Sequence, residues 1–316
     1  MILIGTVVAA ILVVAVVVVT RGGNAPVKRV KAPSGCGLMA RAPTYQHVIV
    51  IMEENASYSS VIGAAGASYI TSLANACGLA TDYHSVTHAS LPNYLALTGG
   101  IPLQRLGSYL NDCLPRGCPG VPTSSIFQQV VKWRAYEESM PSPCDRFGSG
   151  SYAPKHNPPL YFAGLGATCR TRDVPLGTTS SSPLLRDLAS NRTAPKYMFV
   201  TPNLCHDGHD CGIAGSEGWL VKWMPLLIAS RAYKARDTAI FVVWDEGEGG
   251  SYRTGEHCVG SNDSSCHIPL IVVAPSVPRG VRVGGNYSHY SLLASIEWLL
   301  GQPQLNGAGR MSGFNL

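Results

Sequence analysis

The chain predicts an α/β fold, a mainly parallel sheet with helices on both faces. Continuous apolar, β-branched runs at residues 47–52, 196–201, 238–244 and 268–274 have the composition of strands buried on both faces. Helix-like segments lie between them, and that alternation places helices over a parallel sheet. Position is the third sign: Glu53-Glu54-Asn55 follows the first run, residues 202–209 follow the second, and Asp245-Glu246 follows the third. Ligands of open α/β sheets bind beyond the carboxyl ends of the strands, so separate strands deliver acidic and amide groups to one edge.

Taken in order, residues 2–20 are almost entirely apolar and uncharged, long enough to cross a bilayer. Residues 1–21 therefore read as a signal peptide or a transmembrane anchor. No Lys or Arg precedes the stretch and no small-x-small site ends it, while Arg21, Lys28, Arg29 and Lys31 follow, which opposes export by the positive-inside rule. Residues 22–44, rich in Gly, Pro, Ala and basic groups, read as a linker, and 45–316 as one catalytic domain. A short helix is expected over 68–77, ended by Gly78. In 88–100, Pro92 suits a first helical position, Leu95, Ala96 and Leu97 continue the helix, and Gly99-Gly100 ends it. Residues 101–125 are loop-like, and 125–138 read as a helix with Ile126, Val130, Trp133 and Ala135 inward. Residues 139–183, dense in Pro, Gly and Ser, form an excursion of a length that is usually functional. A helix over 218–232 is kinked or split by Pro225, and an amphipathic helix over 288–300 is closed by Gly301.

The net charge of +5 is spread without a dense Lys/Arg block, so no nucleic-acid surface is read from it. Ten cysteines include three pairs close in sequence, Cys113/Cys118, Cys205/Cys211 and Cys258/Cys266, which read as disulfides of an extracytoplasmic protein. Cys36, Cys77, Cys144 and Cys169 have no connectivity that sequence fixes. The Cys205–Cys211 segment lacks the spacing of a structural zinc site and reads as a stapled loop.

Ser90 sits just ahead of a helix start, beside unpaired N–H groups and a positive dipole end. By itself that placement favours a capping residue, though it also suits an alkoxide nucleophile facing phosphate. Asn93, one turn on, is placed to aim an amide N–H at a phosphoryl oxygen. Carboxylates and amides converging on a serine make a hard, oxygen-rich site suited to a divalent cation. Glu53 is excluded, because adjacent residues leaving a strand point to opposite sides.

Ser90-Leu-Pro-Asn-Tyr-x-x-Leu-Thr-Gly resembles the nucleophile segment of the alkaline phosphatase superfamily. More narrowly it resembles the bacterial phosphoesterase family that groups secreted acid phosphatases with phospholipases C. Met52-Glu-Glu-Asn-Ala-Ser-Tyr58, Lys155-His-Asn-Pro158, Thr201-Pro-Asn-Leu-Cys-His-Asp-Gly-His209 and Trp244-Asp-Glu-Gly247 match as well, and the resemblance covers residues 45–301. It implies an alkaline-phosphatase-like fold and a divalent cation held by Glu54, Asn55, Asp245 and Glu246, with the Ser90 oxygen completing the shell. Asp207, His156, His209 and His267 form a second tier that binds the phosphoryl group or a further cation, or protonates the leaving oxygen. His156 and His209 are the acid candidates, Asp207 a metal ligand, and His267 a substrate contact. His88 reads as shaping its turn, His289 as structural, and His206 has no assigned role.

The implied activity is an exported, metal-dependent phosphomonoesterase working through a phosphoserine, as a monomer, on substrates that include phosphoinositide headgroups such as phosphatidylinositol 3-phosphate. An uncleaved N-terminal segment would hold it at the membrane. A phospholipase C-type phosphodiesterase shares the motifs but is generally longer. A non-catalytic exported metal-binding protein is the third reading, and a Ser-His-Asp acyl hydrolase is disfavoured because Gly-x-Ser-x-Gly is absent.

Overall fold

The computed structural model describes residues 35–316, so the apolar 1–21 segment and residues 22–34 of the expected linker lie outside the described residues. The rest of that expected linker is docked onto the domain. Cys36 is buried and disulfide-bonded to Cys77, and the amides of Gly37 and Leu38 each donate at 2.8 Å to the carbonyls of Val277 and Pro275.

The strands are β1 (His47–Glu53), β2 (Gly78–Ala80), β3 (Tyr83–His84), β4 (Trp133–Glu137), β5 (Asp173–Pro175), β6 (Tyr197–Thr201), β7 (Thr238–Trp244), β8 (Leu270–Val273), β9 (Arg282–Val283) and β10 (Tyr287–Ser288). Eight form one sheet in the order β5-β4-β6-β1-β7-β8-β2-β9, and β10 pairs with β3. Every pairing in the large sheet is parallel except those of β8 with β7 and β2, so β8 alone opposes the rest. Central β1, between β6 and β7, is buried along its whole length, as its unbroken apolar run requires.

The helices are α1 (Tyr58–Val61), α2 (Ser68–Ala76), α3 (Ser90–Gly99), α4 (Ile126–Gln129), α5 (Gly166–Arg172), α6 (Pro183–Asp187), α7 (Ile213–Ala229), α8 (Arg231–Lys234) and α9 (His289–Leu299). α3 packs against α9 and α4, and α2 against α7. None of the described helices is long and apolar enough to cross a membrane.

Two expectations need correcting. The helix expected over 125–138 stops at Gln129, and β4 follows, pairing Ala135 with Phe199 of β6 and Asp173 of β5. Trp133 and Ala135, spaced for a helix face, are spaced equally well for one face of a strand, and sheet pairing decides between the two. α7 runs through Pro225 without splitting; the break comes at Ser230, whose Oγ accepts the Tyr233 N–H at 3.1 Å to cap α8. The 139–183 excursion consists of 3-10 turns, α5 and β5, tied together by Cys144–Cys169.

Candidate active site

α3 is buried over all ten of its residues, with Leu91, Tyr94, Leu95 and Leu97 in the core. Burying each such side chain stabilises the helix by about 1.5–3 kcal/mol, which anchors its first turn firmly. Ala89 is the N-cap, so Ser90 is the first helical residue rather than the one ahead, and Pro92 the third. Gly100 closes the helix at φ +61°, a conformation that glycine enters without strain.

The strand ends meet this helix. Ser90 Oγ donates to Glu54 Oε2 at 3.0 Å, and the Tyr94 hydroxyl donates to Glu54 Oε1 at 2.6 Å. The Asn55 N–H, from a residue at φ +51°, donates to Asp245 Oδ1 at 3.1 Å and so ties the end of β1 to the end of β7. His156 is buried between two carboxylates, with Nε2 3.2 Å from Glu54 Oε1 and Nδ1 3.2 Å from Asp207 Oδ2, its ring stacked on Tyr94. The His209 N–H donates to Asp207 Oδ1 at 2.8 Å, in the loop that Cys205–Cys211 staples. Glu246 pairs with His88 Nδ1, and His88 Nε2 reaches Ser265 Oγ at 3.2 Å. A cavity of about 450 Å³ opens over Ser90, lined also by Asn55, Asp112, Lys155, His209 and Glu246.

Burial pushes the carboxyls of Glu54 and Glu246 well above their usual range, with Asp245 and other carboxylates adding to the rise. Asp207 and Asp245 are pushed up to about 7, again mainly by burial. Burial, then the Lys155 charge, holds His156 well below the usual imidazole value. Burial opposes the Lys155 charge, but Glu54 and Asp112 outweigh it and raise its pKa. Asp207 Oδ2, Asp245 Oδ2 and His156 Nε2 are buried with no aligned hydrogen-bond partner. Such orphaned groups are costly unless something satisfies them, and a set of carboxylate oxygens with an imidazole is donor chemistry that fits a divalent cation.

Ser90, Glu54, Asn55, Asp245, Glu246, Asp207, His156 and His209 thus lie in one connected site. Two expected substrate contacts do not. Asn93 is fully buried: its Oδ1 accepts from Val86 and Thr87 N–H, and its Nδ2 protons go to the Thr87 and Ala89 carbonyls. The amide is used up in shaping the turn before α3. His267 stacks on Tyr58 with its Nε2 on the Thr81 carbonyl, and does not line the cavity.

Glu53 is fully buried, with Ser216 of α7 and the Asp207 carboxylate among its neighbours. His289 donates to the Asp245 carbonyl at 2.7 Å, a structural role, and His206 pairs with Glu138. Tyr94, Asp112, Lys155 and Tyr252 escaped the sequence reading as site residues. Lys155 stands beside His156 in a matched segment and Tyr94 one turn after Ser90; Asp112 and Tyr252 carry no local signal.

A model of the Phosphoesterase family matches residues 64–301. The chain belongs to that family. This phosphoesterase is 29% identical over 272 residues to the phosphatidylinositol-3-phosphatase of Mycobacterium tuberculosis, covering 85% of this chain and 81% of that protein. It is 28% identical over 274 residues to an acid phosphatase of Aspergillus niger, 83% of this chain but only 60% of the fungal protein. Among solved structures, an alkaline phosphatase superfamily protein of Vibrio parahaemolyticus superposes with a TM-score of 0.54 at 12% identity, covering 88% of this chain and 71% of that one. A lipoteichoic acid synthase of Listeria monocytogenes gives 0.52 at 10% identity, over 87% and 76%. The fold is that of the superfamily, and the protein is a phosphoric ester hydrolase with phosphatase relatives. Its five disulfides, Cys36–Cys77, Cys113–Cys118, Cys144–Cys169, Cys205–Cys211 and Cys258–Cys266, are those of a protein maturing in an oxidising compartment.

Proposed function

We propose that this phosphoesterase hydrolyses phosphate monoesters outside the cytoplasm, with Ser90 as nucleophile and a divalent cation held by Glu54, Asn55, Asp207, Asp245 and Glu246. The observation that carries this reading is the Ser90 hydroxyl, at the first residue of α3, facing the cavity with its proton donated to Glu54 Oε2 at 3.0 Å. Glu54 is in place to take that proton as Ser90 Oγ attacks phosphorus and the bond to the leaving oxygen breaks. The leaving alcohol takes its proton from His209, which lines the cavity, whereas His156 is enclosed between Glu54 and Asp207 and holds both in place. Water then attacks the phosphoserine and gives a proton to His209; the bond from phosphorus to Ser90 Oγ breaks, phosphate leaves, and Ser90 regains its proton from Glu54. A bound divalent cation supplies charge neutralisation at the phosphate oxygens and a lowered serine pKa.

The substrate is a phosphomonoester that includes phosphoinositide headgroups, supported by the likeness to the mycobacterial phosphatidylinositol-3-phosphatase. The protein is released or stays membrane-held according to whether residues 1–21 are cleaved, which N-terminal sequencing of the exported protein reads directly. Ser90→Ala in a folded protein should lower kcat by about 10³-fold or more, and dialysis against a strong chelator should abolish activity until cation is restored. A folded Ser90→Ala that keeps most of its turnover sinks the nucleophile; full activity after chelation sinks the metal. Phosphatidylinositol 3-phosphate assayed beside a simple monoester and a diester tests the substrate class.

A further inference from the structure

The first turn of α3 already carries an anion. The Leu91 N–H, one residue after Ser90, donates at 2.9 Å to Oδ1 of Asp112. The other oxygen of that carboxylate accepts from Lys155 Nζ at 2.9 Å, and Lys155 Nζ lies 3.4 Å from His209 Nε2. Ser90, Asp112, Lys155 and His209 line one cavity, and among its described lining residues Lys155 is the only Lys or Arg. Ala89 gives α3 no side-chain cap. Asp112 reaches the helix from 21 positions along the chain, immediately before the loop that Cys113–Cys118 closes. A helix-start N–H beside an ammonium group is a donor pair for phosphoryl oxygens. A substrate phosphorus on Ser90 brings its oxygens to these same two donors.

We propose that Asp112 is an internal stand-in for the substrate's phosphate, holding Leu91 N–H and Lys155 Nζ in the resting site until a phosphate monoester displaces it. The inference rests on the phosphatase reading and adds a gate to it. Asp112 sets the affinity: each phosphate that binds must break the carboxylate's ion pair with Lys155 and move its loop. Removing that charge while keeping the acceptor for Leu91 N–H leaves Lys155 free for the substrate.

The test is inorganic phosphate, measured by calorimetry and by competitive inhibition of p-nitrophenyl phosphate hydrolysis. It uses the full chain, with the same divalent cation throughout, for the unsubstituted protein, Asp112→Asn, Lys155→Met and the double variant. Asp112→Asn should bind phosphate about two- to fivefold more tightly and lower KM alike, the range for one partly exposed ion pair. In the Lys155→Met background the same substitution should change phosphate binding by less than about twofold. Thermal melts establish folding, and Asp112→Ser replaces Asp112→Asn if the latter does not fold. A purely structural cap predicts unchanged phosphate affinity and KM, and a proton-donating Asp112 predicts a fall in kcat at constant KM; either result, in a chain whose unsubstituted form is active, overturns the gate alone. An unsubstituted chain that neither binds phosphate nor hydrolyses the ester overturns the phosphatase reading and the gate with it.

Discussion

Asp245→Asn should stabilise the metal-free protein while destroying the enzyme. Asp245 is fully buried, its Oδ1 accepts the Asn55 N–H at 3.1 Å, and its Oδ2 has no partner. Burial raises its pKa from the ordinary 3.8 to about 7. A carboxyl raised in the folded state favours folding while protonated and costs stability once ionised. The cost is absent below the unfolded value, grows as pH rises through the interval, and is complete above about 7. Three units taken alone correspond to about 4 kcal/mol. Relaxation and proton sharing with Glu54, Asp207 and Glu246 reduce this to about 1–2 kcal/mol for removing one charge. Asparagine keeps the acceptor for Asn55 N–H and brings a donor toward the remaining carboxylates. At about 2–4 °C per kcal/mol, the variant should melt roughly 2–8 °C higher than the unsubstituted protein near pH 8 in chelator, and no higher near pH 4. Adding divalent cation should raise the melting temperature of the unsubstituted protein and leave the variant's nearly fixed, with turnover lost. Thermal unfolding by circular dichroism at both pH values, with and without cation, gives all four comparisons. A variant that melts lower than the unsubstituted protein near pH 8 in chelator would refute the argument from the buried charge.

Three further outcomes follow from the same geometry. Asn93→Ala orphans the Val86 and Thr87 amides and should cost about 2–4 kcal/mol of stability, seen as an earlier urea midpoint; a normal midpoint with a raised KM would restore it as a substrate contact. Tyr94→Phe removes the 2.6 Å bond to Glu54 and should cost about 1.5–3 kcal/mol, with kcat reduced and little change in KM in steady-state assays. His267→Ala should leave kcat/KM within about twofold, since its ring stacks on Tyr58 outside the cavity; a tenfold loss would place it in the reaction.

What was legible in the sequence divides along the range of the interactions. The four apolar strands announce themselves because burial on both faces favours an unbroken apolar run, and β1 and β7 are buried from end to end. Glu54, Asn55, Asp245 and Glu246 were legible for the same reason, since a polar pair directly after such a run can only emerge at the strand's carboxyl end. β4 was hidden because Trp133 and Ala135 satisfy both periodicities, and only pairing with β6, over sixty residues on, selects the strand. Asn93 shows the converse failure: its placement one turn after Ser90 is right for a ligand contact, yet an amide offers two protons, and the turn from Val86 to Ala89 takes both. A local reading counts available donors, whereas the fold decides how many are already used. Asp112 is the sharpest case, for no pattern around it marks it out, and its meaning comes wholly from where the loop brings it: onto Leu91 N–H and Lys155, the donors an incoming phosphate needs.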